Sequence, residues 1–208
     1  MAAGRPKTIT SERIIEAGIS LTLPDLTVAG VAKEIGVTIA SIYKHVEGVE
    51  QLRVLVAEGI MARWTIPEIK GQLVEAYLLE FSESLRVLVG DNPGIARFLT
   101  QVSSSTPVTF RKIDAHHADF VAAYGVSPTQ AAWLLSTIVE HAIAIADMIH
   151  VPKNRIGRAD RQHLRDRTDL RNFNKVVEII PHGDNAAHFR LSMRALITGA
   201  LIVLSELP

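Results

Sequence analysis

The chain has 208 residues, 48% of them hydrophobic, with 22 lysines and arginines against 22 aspartates and glutamates, and no cysteine. That length can bury a sizeable core in one domain or two. Zero formal net charge predicts neither a nucleic acid nor an acidic partner, so any basic face must be local, and the lack of cysteine excludes disulfides, thiolate chemistry and cysteine-type zinc sites.

Residues 1 to 8 read as a flexible arm: Gly4 and Pro6 discourage a helix, and Arg5 and Lys7 carry charge that a phosphate or a minor groove could take up. The apolar run of a secretory signal is missing after them. The longest apolar stretch, Ala195 to Leu204, is interrupted by Thr198 and is too short to cross a bilayer. A cytoplasmic protein with no membrane partner is expected. From Thr10 to Leu23 the spacing of Ile14, Ile15, Gly18, Ile19 and Leu21 predicts a first helix, stopped by Pro24-Asp25.

The stretch Leu26 to Val46 predicts two short helices at an angle. Thr27 can cap the first, whose Val28, Val31, Ala32 and Ile35 share a face. Gly36 can take the left-handed conformation that ends it, and Thr38 can cap the second helix two residues on. Ile42 and Val46, four apart, can face the first helix, which leaves Ile39, Ala40, Tyr43 and Lys44 looking outward. This is a helix-turn-helix pattern, and its outer edge can enter a major groove.

The string TVAGVAKEIGVTIASIYKHV, preceded by IIEAGISL and followed by EGVEQLRVLVAEGI, resembles the DNA-binding domain of the TetR family of bacterial transcriptional repressors, over roughly residues 9 to 60. The A-x-x-x-G-V turn, the I-Y-x-H-V ending and the leucine-rich helix after it occur together at the family's spacing. The resemblance implies an all-α subunit. Residues 1–47 would form the arm and helix-turn-helix head; residues 48–208 would form a connecting helix with an effector-binding and dimerisation body. It places DNA contacts at Ser41, Tyr43, Lys44 and His45, with the capping Thr27 and Thr38 also on the DNA-facing surface and Ile39 and Ala40 able to meet only a thymine methyl. Two positions depart from the family pattern. Ala29 stands where an arginine or another polar reader is common, and Val49 where many members carry a phosphate-gripping lysine. Arg5, Lys7 and Lys33 could compensate.

Beyond the motif, Leu52, Leu55, Val56 and Ile60 predict a helix to about Trp64. A long amphipathic helix is expected to start near Pro67 and to carry Leu73, Tyr77, Phe81, Leu85 and Leu88 up to Asp91-Asn92-Pro93-Gly94. Shorter helices follow at about 94–102 and 107–124. Ser127-Pro128 is a start signal for a helix to Ile149 that is apolar on nearly every side, so it should lie in the centre of the body, with its Glu140 and His141 satisfied by hydrogen bonds there or by a ligand's polar end rather than exposed. Residues 153 to 171 hold seven arginines and lysines against three aspartates; they read as a solvated loop, or as a second anion-binding surface. A short helix is expected at 174–180 and a last one from Asp184 or Asn185 to about Leu207.

His116 and His117 point about 100° apart on a helix and cannot easily share an ion, and Asp147 with His150 supplies only two ligands. No cofactor or metal is therefore expected. Nor is there a nucleophile elbow or phosphate-cradling loop to make an enzyme. The expected function is a ligand-responsive repressor that binds a palindromic double-stranded operator as a homodimer, through the helix starting at Pro128 and the last helix with its Leu196 and Leu201. A small-molecule effector would release it, lined by Tyr77, Phe81, Phe98, Phe110, Trp133 and Glu140 or His141. The alternatives are a helical small-molecule-binding or protein-interaction protein with weakened DNA binding and, less favoured, an enzyme.

Overall fold

Nine α-helices carry the regular structure of the described residues, and no strand occurs among them. The computed structural model describes residues 9–101, 106–150, 166, 169 and 185–206. The expectations for Arg5, Lys7, Asp184, the helix at 174–180 and the basic segment, apart from Asp166 and Asp169, lie outside them. The helices are α1 (Ser11–Leu21), α2 (Val28–Ile35), α3 (Ile39–Ile42), α4 (Val49–Arg63), α5 (Val74–Asp91), α6 (Ile95–Leu99), α7 (Pro107–Tyr124), α8 (Pro128–His150) and α9 (Asn185–Leu204).

Two compact units organise them, residues 1–66 with 91–119, and residues 67–90 with 120–208. The first unit draws α4 in with α1 to α3, which differs from a functional division after residue 47. The reason lies in small residues at the crossing of α1 and α4. A methyl group at Gly18 would overlap the Val56 side chain, and one at Gly59 would overlap Ile15, so the two glycines let the helices approach closely. Ile14, Leu26, Val31, Ile42, Leu52 and Val56 are fully buried in this unit.

Glu58 and Lys112 tie α4 to α7 by reciprocal end-capping. The buried Glu58 carboxylate accepts from Val108 N–H at 2.8 Å, from Thr109 N–H at 3.2 Å and from the Thr109 hydroxyl. Lys112 Nζ donates to the carbonyls of Met61 (2.6 Å), Ala62 (3.3 Å) and Trp64. A carboxylate thus meets a helix N-terminus and an ammonium meets a helix C-terminus, each complementing the helix dipole.

In the second unit α5 starts seven residues later than expected. Residues 64–73 are irregular, Leu73 is exposed, and Gly71 takes a left-handed turn (φ 80°) that a continuous helix cannot contain. The Tyr77 hydroxyl donates back to Pro67 O at 3.3 Å and closes this segment onto α5. Ser127 Oγ accepts from Gln130 N–H at 3.1 Å while Gln130 Oε1 accepts from Ser127 N–H at 3.0 Å, a reciprocal cap that fixes the start of α8.

α8 and α9 pack on each other, burying Leu134, Leu135, Ile138 and Ala142 on one and Phe189, Met193, Ile197 and Ala200 on the other. Their outer faces are exposed in the single chain, so the expectation that α8 lies in the centre of the body is corrected. Both helices are long and apolar enough, by length and composition, to cross a membrane, although neither contains an unbroken apolar run of that length. Of the 18 residues concerned in each, 33% in α8 and 28% in α9 are buried inside the chain.

Candidate nucleic-acid interface

Capping residues set the geometry of the helix-turn-helix. Thr27 holds extended backbone (φ −136°, ψ 152°) and its Oγ1 accepts from Gly30 N–H at 2.9 Å, starting α2. Gly36 closes α2 in the left-handed region at φ 77°, and the N–H groups of Gly36 and Val37 both return to Ala32 O, at 3.0 and 2.9 Å. No atom lies within 4 Å of a side chain placed at Gly36. The requirement for glycine there is conformational, not spatial. Thr38 Oγ1 then accepts from Ser41 N–H at 3.3 Å and lies 2.8 Å from the Ser41 hydroxyl.

α3 is a single turn, Ile39–Ile42, shorter than the helix to Val46 that the apolar spacing predicts. Hydrogen-bonded turns continue it, with His45 N–H reaching Ile42 O at 2.8 Å and Val46 N–H reaching the same carbonyl at 3.2 Å. The register therefore survives. Ile42 is fully buried and Val46 nearly so, while Ile39 (47%), Ala40, Tyr43 (54%), Lys44 and His45 are exposed and Ser41 is half-buried. The exposed caps Thr27 and Thr38 each have an oxygen engaged by the backbone. Ala29 is exposed in the first turn of α2, and Val49 is half-buried at the start of α4. Arg13 braces the motif from α1, donating to Ile35 O at 3.3 Å.

The residues expected to line an effector site belong to both units, Phe98 and Phe110 to the first and the others to the second. Tyr77 and Phe81, both buried, lie parallel with ring centroids 6.1 Å apart. Phe120 and Tyr124 join them, 4.8 Å from each other, and Tyr124 hydroxyl donates to Gln72 O at 3.3 Å. Burial, with a smaller contribution from Glu80, raises the Tyr124 phenol above its ordinary value. Trp133 is half-buried. Phe110 is 45% exposed on α7. Glu140 and His141 are exposed on α8, and His141 Nδ1 lies 2.8 Å from Thr137 O. A 23-residue helix whose apolar stripe faces α9 turns its intervening polar residues outward, so the expectation of enclosed polar groups is corrected. Phe98 belongs to the first unit, where it lines a cavity of about 290 Å3.

Sequence reading did not pick out Glu58, Lys112 or the arginines of that cavity. Glu58 had a usable signal, a lone acid within the apolar run VLVAEGIM of α4; its partners on α7, fifty residues away, had none.

No family model matches the chain, and no curated protein matches it by sequence. Solved structures do. ActR of Streptomyces coelicolor, a TetR family protein in complex with actinorhodin, is 20% identical with a TM-score of 0.75, covering 95% of this chain and 99% of its own. A possible TetR family transcriptional regulator from Streptomyces coelicolor A3(2) is 18% identical with a TM-score of 0.75, covering 93% and 100%. A TetR variant from Acinetobacter baumannii AYE in complex with minocycline is 17% identical with a TM-score of 0.68, covering 95% and 99%.

Proposed function

We propose, for a chain that has the all-helical fold of the TetR-type regulators, that it is a ligand-responsive DNA-binding transcriptional regulator. It acts as a homodimer on a palindromic operator, represses there, and is released when a small molecule binds. The observation that carries this reading is the arrangement of α3: Ile42 and Val46 anchor it from below, and Ile39, Ala40, Tyr43, Lys44 and His45 form one exposed edge. Tyr43, Lys44 and His45 donate to phosphates and base edges, which dock and specify respectively. Two such heads would read half-sites about 34 Å apart on successive turns of the groove.

Neighbours of this fold in complex with actinorhodin and minocycline support a small-molecule effector. The effector lowers DNA affinity only by binding better to the arrangement that misfits the operator, with a typical coupling of about 1–3 kcal/mol. Exposed Ala29 and half-buried Val49 favour, as a second reading, a helical ligand-binding or interaction protein with weakened DNA affinity.

The test is a mobility shift on DNA upstream of its own gene across a salt series, with wild type and the Tyr43→Ala/Lys44→Ala double variant. Wild type is expected to bind with a steep salt dependence, and the double variant to lose binding while keeping its helical signal. Wild type that binds no DNA at any salt sinks the regulator reading; a double variant that binds as well as wild type puts the surface elsewhere.

A further inference from the structure

The cavity beside Phe98 is walled by three segments of the first unit: the Leu23-Pro24 link ahead of α2, the N-terminal half of α4, and α6. Gly94 makes that closure possible. It opens α6 in the left-handed region (φ 86°), and a side chain there would come within 3.0 Å of the Pro24 ring. The cavity floor is apolar, with Leu23 and Ala57 buried and Val54 half-buried.

Its charge is asymmetric. Arg53 is already paired with Glu50 one turn back on α4. Arg97 is exposed and has no acidic side chain within ion-pair reach among the described residues. Two arginines and one glutamate leave a lining of net charge 2 − 1 = +1. That balance suits one negative charge, since a dianion would meet Glu50 without a second free cation among the described lining residues. A guanidinium presents paired N–H donors that match the two oxygens of a carboxylate. The half-buried Phe98 ring offers a flat apolar wall. The volume, about 290 Å3, equals about ten waters at roughly 30 Å3 each. That is near the lower end for ligand sites and admits one ring with a short acidic arm rather than a polycyclic drug.

We propose that this cavity is a binding site for a small monocarboxylate with an apolar, preferably aromatic body, its carboxylate on Arg97 and its ring against Phe98 over Val54 and Ala57. A molecule seated there holds α6 against the link that leads into α2. Its effect on DNA rests on the regulator reading above; its binding does not.

Titration calorimetry on the full chain with benzoate, and with benzamide as the uncharged match, tests the site without DNA. Benzoate is expected to bind at millimolar or lower concentration and at least tenfold tighter than benzamide. Arg97→Gln, an exposed change, is expected to erase that preference, and Val54→Trp to fill the cavity and abolish both. Equal binding of the two probes to wild type, no benzoate binding, or an undiminished preference in Arg97→Gln overturns the site; should Val54→Trp fail to fold, the Arg97→Gln comparison decides. Benzoate that binds with this preference but leaves the mobility shift unchanged overturns its coupling to DNA and not the site.

Discussion

Replacing Glu58 with alanine removes the acceptor of the Val108 and Thr109 N–H groups at the start of α7. An α-helix begins with N–H groups that have no partner inside the helix. In α7 the first helical residue is Pro107, which has no N–H, and Phe110 N–H already returns to Thr106 O at 3.0 Å. The two donors between them, Val108 and Thr109, both go to Glu58. Val108 is half-buried and water can replace the carboxylate there, whereas Thr109 is 0% exposed. Its N–H and hydroxyl would both be left without Glu58, at about 1–3 kcal/mol for each buried group left unsatisfied. Removing a buried charge offsets part of this, so a net loss of about 3 kcal/mol is expected. For a chain of this length that is a fall in melting temperature of about 6–12 °C, at about 2–4 °C per kcal/mol. Glu58→Gln keeps one acceptor oxygen and is expected to lose roughly half as much. Urea unfolding followed by circular dichroism, at one protein concentration for all variants, measures both. A Glu58→Ala variant within about 0.5 kcal/mol of wild type, the range of an ordinary surface change, would show that the α4–α7 cap does not support the fold.

His116 is buried, and burial first, then the neighbouring His117, push its pKa down from 6.5 to about 4, against a weaker opposite pull from Asp119. The folded protein thus keeps this imidazole neutral while the unfolded chain protonates it, so stability present above pH 6.5 is lost as pH falls toward about 4. Between pH 7 and 5.5 the loss is roughly 1 kcal/mol; His116→Phe is expected to flatten that part of the stability–pH curve, and an unchanged slope refutes the assignment. On α9, Leu191 and Ile202 are 66% and 65% exposed, on one face with Ala195 and Gly199, whereas Leu196 and Leu201 are half-buried. If this face joins two copies, Leu191→Lys with Ile202→Glu leaves the single-chain fold intact but places charges in an apolar contact, weakening association by more than about a hundredfold. Sedimentation that finds wild type monomeric at micromolar concentration, or the double variant as dimeric as wild type, removes that interface.

What the sequence determined by itself was local. Thr27, Gly36, Thr38 and Ser127 each act on backbone groups within four residues, and their roles follow from hydrogen-bond reach and from φ. The apolar period placed Ile42 and Val46 inward and Tyr43 and Lys44 outward, because a period of 3.6 residues divides one face from the other. Where that helix ends was less legible, since continuing turns keep the same register. Tertiary structure decided whatever depends on which element comes near. Glu58 became a cap because α7 begins beside it, and the Phe98 cavity exists because Leu23, Val54 and Gly94, far apart in the chain, meet there. Composition described α8 as apolar almost all round, yet only one stripe of it, including Ala131, Leu134, Leu135, Ile138 and Ala142, is buried in the chain, and Glu140 and His141 face out. A hydrophobic count measures how much surface a helix could bury, and packing alone selects which part of it does.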